Sequence, residues 1–214
     1  MKLCVPIKRN KINAVLGEMK KAQKHCDVIE IWLDEIKDLN AKSLNEINKI
    51  NSLPLLYKVT KPDLAKIKQL LKNIKNIAYL DLDIYCDTSI IKKIKKAFPQ
   101  IKIIISYHDF KKTPSEKELN RIIQKMIFLQ ADILKIATHA RKVEDSLRIL
   151  ALLSHIGKQQ KAIFLCMGKH GRITRTTGHL FGNYLMYAPM RAAHFTALGQ
   201  LTISELKKIL QSIN

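Results

Sequence analysis

"IKIIISYHDFKKTPSEKELNRIIQKMIFLQADILKIATHA", residues 101–140, holds two short apolar runs, each closing on polar residues, with a stretch of helical periodicity between them. A run that is apolar on both faces must be buried on both faces, as a parallel strand is. Two such runs joined by an amphipathic helix make a βαβ unit. Ser115, followed three residues later by Glu118, predicts a capping box at the start of that helix, with Pro114 in the loop just ahead of it. One residue is out of place: Lys135 stands in the middle of the second run. Because burying an unpaired ammonium is costly, this lysine must be paired, directed outward at a strand end, or kept neutral for chemistry.

The same alternation continues in both directions. Strand-like runs read "KLCVPI", "VIEIWLD", "LPLLYKV", "IAYLDLDI", "AIFLCMG" and "YLMYA", and helical periodicity recurs in "INAVLGEMKKAQ", "LAKIKQLLKNI" and "VEDSLRILALLSHI". About eight strand–helix units in one chain predict an α/β fold, a compact (β/α)8 TIM barrel forming a single domain over residues 1–214, somewhat below the ~250 residues usual for that fold. A doubly wound open sheet is the alternative. It fits less well, because "IKRNKIN" follows the first strand where a glycine-rich phosphate-binding turn would stand.

Composition narrows the classes of function. With 47% hydrophobic residues among 214, the chain can bury one sizeable core. No apolar run reaches the roughly 20 residues that span a bilayer, and "MKLCVPIKRN" is too short an apolar start for a signal peptide, so a cytoplasmic location with no membrane partner is expected. The four cysteines show no CxxC pair or Cys/His cluster; three fall in strand-like segments, and all are expected to be reduced, with no structural metal. The net charge of +20 invites a nucleic-acid hypothesis, but only seven of the 38 basic residues are arginines. The lysines sit at polar positions of amphipathic stretches such as "KIKQLLKNIKNI" and "IIKKIKKAF". This pattern describes a solvated exterior that favours small anions at long range rather than a nucleic-acid surface.

Reactive groups of a barrel stand at the C-terminal ends of its strands. Polar residues at comparable depth there are Glu30, Asp81, Asp83, His108 and Lys135, with "MGKHGRITR" after the seventh strand and "FTALGQLTISEL" after the eighth. Each has an ordinary structural explanation when taken alone: a strand-end carboxylate pairs with a neighbouring cation, a lone histidine bonds within the core, and a lysine snorkels to the rim. A barrel would converge all of them on one mouth.

In these segments the chain resembles the type I 3-dehydroquinate dehydratases, Schiff-base enzymes of the shikimate pathway. The likeness rests on "EIWLD", "ISYHDF" with the following "TP", "ADILKIA", "MGKHGRITR", "FGN" and "LGQLTISEL", in that order and nearly from end to end. The resemblance implies that Lys135 forms an imine with the substrate and that His108 is the general acid and base. It further implies that Glu30 contacts substrate hydroxyls, that Arg175 holds the substrate carboxylate, and that Gln200 and Thr196 belong to a closing loop, Thr196 replacing a serine. A homodimer without metal or organic cofactor is implied as well.

Two departures stand out. Trp32 occupies a position where the family carries an arginine, and the third strand ends in "YKVTKPDL", without the family's arginine, acid and two glycines. Lys58 or Lys61 is the candidate replacement cation, and Asp63 the candidate acid to orient the histidine. A lysine offers a point charge where arginine offers a fork. Lys135 must attack as the free amine, so its apolar strand and nearby cations such as Arg175 are expected to depress its pKa. The leading expectation is dehydration of 3-dehydroquinate to 3-dehydroshikimate. A Schiff-base lyase acting on another carboxylated keto compound is the alternative raised by the missing arginines, and a non-catalytic binding protein is a more distant one.

Overall fold

The computed structural model describes residues 1–60 and 62–213; Lys61, one of the two expected replacement cations, lies outside them. Eight strands and eight helices alternate among the described residues: β1 (Lys2–Ile7), α1 (Ile12–Ala22), β2 (Val28–Ile31), α2 (Ala41–Ile50), β3 (Leu55–Lys58), α3 (Leu64–Asn73), β4 (Ile77–Asp83), α4 (Thr88–Ala97), β5 (Lys102–Asp109), α5 (Glu116–Phe128), β6 (Ile133–His139), α6 (Val143–Ile156), β7 (Ala162–Met167), α7 (Arg172–Thr177), β8 (Leu185–Tyr187) and α8 (Ile203–Ile213). The strands pair in parallel in the order β7-β6-β5-β4-β3-β2-β1-β8. Between β7 and β8 the ring is nearly closed by a bridge from Ala162 to Asn183, by the Tyr184 N–H donating to the Ala162 carbonyl at 2.8 Å, and by Asn183 Oδ1 accepting from the Phe164 N–H at 3.0 Å. The fold is therefore a single-domain (β/α)8 barrel rather than an open sheet. No helix among the described residues is long and apolar enough to cross a membrane.

Local chemistry sets the ends of the elements. Helix α5 begins at the expected capping box: Ser115 Oγ accepts from the Glu118 N–H, and the Glu118 carboxylate accepts from the Ser115 N–H at 2.9 Å. Asn40, Asp63 and Asp87 cap α2, α3 and α4. Strand β2 is shorter than the apolar run "VIEIWLD" suggests. It stops at Ile31, and Trp32 leads into a 3-10 turn at Leu33–Glu35. The turn is fastened by Asp34, whose carboxylate accepts from the Thr60 N–H at 2.7 Å and the Thr60 hydroxyl at 2.8 Å, tying the loop after β2 to the loop after β3. All four cysteines are free; Cys4 and Cys166 lie in strands, while Cys86 sits in the turn after β4 and Cys26 just ahead of β2.

Two apolar regions hold the barrel. The larger lies between sheet and helices and includes Val5, Ile29, Tyr57, Leu80, Ile103, Ile105, Leu134 and Phe164, all essentially inaccessible to water. The smaller fills the lower barrel interior with Cys4, Val28, Leu56, Tyr79, Ile104, Ile133, Ile163 and Leu185. Side chains alternate faces along a strand, so the next inward positions lie two residues further on. Those positions are Pro6, Glu30, Lys58, Asp81, Ser106, Lys135, Leu165 and Tyr187. Above an apolar plug, one inward step of the pleat exchanges hydrocarbon for a mostly polar layer.

Candidate active site

A cavity of about 470 Å³ opens at the C-terminal ends of the strands, and Glu30, Trp32, Lys58, His108, Lys135, Arg175, Thr196 and Gln200 all line it. Asp63 does not. It caps α3, with its Oδ1 accepting from the Lys66 N–H at 2.9 Å, so the expectation that it orients His108 is wrong. A helix N-terminus with unsatisfied N–H groups is a strong local claim on an aspartate, and the turn after β3 places Asp63 there.

The carboxylate that does sit among the cations is Asp81 of β4, which is completely buried. Its Oδ2 accepts from Lys135 Nζ at 2.7 Å, and its Oδ1 accepts from Lys58 Nζ at 2.8 Å and from the Ser106 hydroxyl at 2.6 Å. Lys135 also lies 3.6 Å from Glu30 Oε2 and 4.6 Å from the centre of the Tyr187 ring, whose hydroxyl it reaches at 3.4 Å. These contacts explain how an apolar strand tolerates Lys135: it is paired. They also overturn the expected direction of its titration. Burial pushes the ammonium toward neutrality, but Asp81 and Glu30 together outweigh burial and hold its pKa above the ordinary lysine value. Asp81 shows the converse: burial raises its carboxyl, and Lys135, Lys58 and His108 bring it well below the usual range.

His108, one inward step above this layer on β5, is its neutral partner. Burial first, then Lys58 and Lys135, lower its pKa to about 3, against a smaller upward effect of Asp81. No hydrogen bond to its imidazole occurs among the described residues; the ring stacks near Phe110 with centroids 6.1 Å apart. The basic form of the imidazole is therefore the resting form at neutral pH.

Trp32 does not occupy the site as a bystander. Its indole Nε1–H donates to Glu30 Oε1 at 3.0 Å, and the Lys8 ammonium lies 4.1 Å from the centre of its ring. Glu30 Oε2 is buried and, among the described residues, accepts no hydrogen bond, its nearest cation being Lys135 Nζ at 3.6 Å. On the opposite wall Arg175 of α7 is almost fully buried, and its Nε–H donates to the Cys166 carbonyl at 3.1 Å. No carboxylate lies within ion-pair distance of its guanidinium among the described residues, and burial lowers its pKa to about 10. The loop after β8 completes the mouth. There Gln200 Oε1 accepts from the Thr196 N–H at 2.7 Å and the Ala197 N–H at 3.2 Å, while Gln200 Nε2 donates to Thr196 Oγ1 at 3.0 Å. Gly199 sits at φ +78°, and a Cβ added there would run into the Gly168 carbonyl oxygen, so a side chain would clash.

Sequence reasoning singled out Asp81 as a strand-end acid but did not place it between the lysines, and it missed Ser106 and Tyr187. Inward parity was the available signal, since Asp81 and Ser106 share a face with Lys135 through the β4–β5–β6 registers, and Tyr187 joins them through its pairing with Cys4 and the registers from β1 to β4.

Lys135 and His108 from the strand ends and Arg175 from α7 thus converge on one cavity at the C-terminal mouth of the barrel, where barrel enzymes carry their chemistry. The model of the family described as Type I 3-dehydroquinase matches residues 3–214, and the chain belongs to that family. It is similar to the 3-dehydroquinate dehydratase of Methanococcus maripaludis strain S2, at 31% identity over 99% of this chain and 100% of that one. It is also similar to the chloroplastic bifunctional 3-dehydroquinate dehydratase/shikimate dehydrogenase of Arabidopsis thaliana, at 30% identity over 95% of this chain and 36% of that protein. Among solved structures, the type I 3-dehydroquinate dehydratase of Clostridium difficile with covalently modified comenic acid superposes with a TM-score of 0.85 at 26% identity, covering 99% of this chain and 92% of that one. As a member of this family the chain is an enzyme of the hydro-lyase class.

Proposed function

We propose that this enzyme dehydrates 3-dehydroquinate to 3-dehydroshikimate through an imine on Lys135, in the cytoplasm, as a homodimer serving the shikimate pathway. The observation that carries the mechanism is the meeting of Lys135 and the neutral His108 in one cavity. Lys135 gives up a proton to water and its nitrogen lone pair attacks the C3 ketone; loss of water from the carbinolamine leaves an iminium. The iminium draws electrons from the adjacent C–H bond, so the C2 proton becomes acidic enough for an imidazole. His108 takes that proton, the C1–O bond breaks as the C1=C2 bond forms, and His108 returns the proton to the departing hydroxyl as water. Hydrolysis of the iminium then frees the enone and regenerates Lys135. One substrate gives one product and one net water.

The remaining lining residues supply position. Arg175, with no carboxylate at ion-pair distance among the described residues, is assigned to the substrate carboxylate. Glu30 Oε2, free to accept, is assigned to a substrate hydroxyl. Thr196 and Gln200 are assigned to the loop that closes over the ring. No step calls on a metal or organic cofactor. The deciding experiment adds borohydride with 3-dehydroquinate and maps the product by peptide mass spectrometry. A reduced adduct on Lys135, lost together with the rise in enone absorbance in Lys135→Ala, is the expected result. Near-native turnover in that variant would refute the imine.

A further inference from the structure

Asp81 is held by two lysines where one would satisfy its charge. Lys135 takes Oδ2 at 2.7 Å, and Lys58 takes Oδ1 at 2.8 Å. Lys58 is also fastened to Ser106 Oγ at 3.0 Å, and Ser106 itself donates to Asp81 Oδ1 at 2.6 Å. Lys58, Ser106 and Asp81 thus form a closed ring of hydrogen bonds that directs the Lys58 ammonium at Asp81. A cation placed only to greet a substrate would leave its donors free.

The charge balance of the layer gives the ring a purpose. Facing Lys135 are Asp81 from β4, Glu30 from β2, Lys58 from β3, His108 from β5, Cys4 from β1 and Tyr187 from β8, with Arg175 on the far wall of the cavity. Burial first, and the neighbouring carboxylate Glu30 next, raise the Cys4 thiol and the Tyr187 phenol, so both are neutral; the His108 imidazole is neutral too. Lys58 and Lys135 therefore balance Asp81 and Glu30. When Lys135 loses its proton, the cluster is left with one uncompensated negative charge if Lys58 is present and with two if it is absent. In a buried site the second uncompensated charge is expensive.

We infer that Lys58 is a positioning residue that remains on Asp81 as its standing counter-charge, so that Lys135 can become the neutral amine that attacks the substrate. The inference rests on Lys135 being the imine-forming residue and extends that assignment by saying what releases its proton. The proton passes from Nζ to water, and no bond to Lys58 is made or broken.

The test is competitive acetylation by acetic anhydride across a pH series, with Lys135 and Lys58 followed separately by peptide mass spectrometry in the intact protein. Labelling needs no substrate, so it reads the amine independently of the dehydratase assignment. In Lys58→Met and Lys58→Gln, the Lys135 labelling profile is expected to move to higher pH by about one unit, a roughly tenfold slower reaction at a fixed pH on the rising limb. Lys58→Arg, which keeps the charge, is expected to return the profile toward that of the unaltered protein. Circular dichroism and thermal melts establish that each variant is folded. Coincident profiles in folded Lys58→Gln and unaltered protein would overturn the inference, as would acetylation of Lys58 ahead of Lys135 at neutral pH. A displaced profile in a protein that leaves 3-dehydroquinate unchanged would support the role of Lys58 and remove only the substrate assignment.

Discussion

The two walls of the cavity treat buried charge in opposite ways. On the β2–β6 side Lys58 and Lys135 are matched against Asp81 and Glu30, with Ser106 completing the hydrogen bonds. On the β7–β8 side Arg175 is as deeply buried, yet among the described residues its guanidinium donates only to a backbone carbonyl, and the nearby loop satisfies its own polar groups through Gln200 and Thr196. A compensated cluster is held together by the protein and costs much to break from one side. An uncompensated buried cation is a burden on the fold that an anionic ligand relieves. Under the function proposed above, the first wall does the proton chemistry and the second holds the substrate carboxylate.

This contrast breaks most visibly at Asp81. Asp81→Asn leaves Lys58 and Lys135 without their carboxylate and is expected to destabilise the fold by about 3–5 kcal/mol in denaturant unfolding. Arg175→Met removes an equally buried charge on the other wall. Its expected cost falls on catalysis instead: kcat/KM for 3-dehydroquinate lower by roughly two orders of magnitude, as for loss of a charge-assisted contact, with thermal stability equal to or above that of the unaltered protein. If Arg175→Met unfolded the protein as readily as Asp81→Asn, the two walls would not differ in kind.

Acid titration sharpens the same comparison. The folded-state pKa of His108 is depressed to about 3, so the stability tied to its neutral form is present above the unfolded value near ~6.5 and is lost as pH falls toward the folded one. His108→Gln is expected to flatten the decline of unfolding free energy between pH 6 and pH 4 by on the order of 1 kcal/mol per pH unit, measured by urea melts at each pH. An unaltered slope would mean that His108 is solvated and titrates normally. The smallest effect is expected at Trp32→Phe, which keeps a ring under Lys8 but removes the N–H that holds Glu30 Oε1. Losing one hydrogen bond of about 1 kcal/mol should raise KM several-fold with little change in kcat.

Much of the fold was legible because burial on both faces of a parallel strand writes itself as short apolar runs. "KLCVPI" and "VEDSLRILALLSHI" coincide with β1 and α6, and Ser115 with Glu118 marked the start of α5. The end of β2 was not legible, because it depends on Asp34 meeting Thr60, a contact across two loops. Among the site residues, Lys135, His108, Glu30, Arg175, Thr196 and Gln200 do meet at one mouth. Asp63 does not, because a local cap claims it.

What the sequence by itself determined is the barrel and the strand-end groups Glu30, Asp81, His108 and Lys135, since periodicity, caps and strand-end polar residues are local properties of the chain; Arg175, Thr196 and Gln200 entered through the family resemblance. What only the tertiary structure decided is their state. Asp81 lies 54 residues from Lys135 and 23 from Lys58, and closing the sheet brings all three into one buried layer. Electrostatic energy in such a layer depends on distance and burial. Those two quantities keep His108 neutral and Lys135 charged, the latter the opposite of what a lysine in an apolar strand suggested.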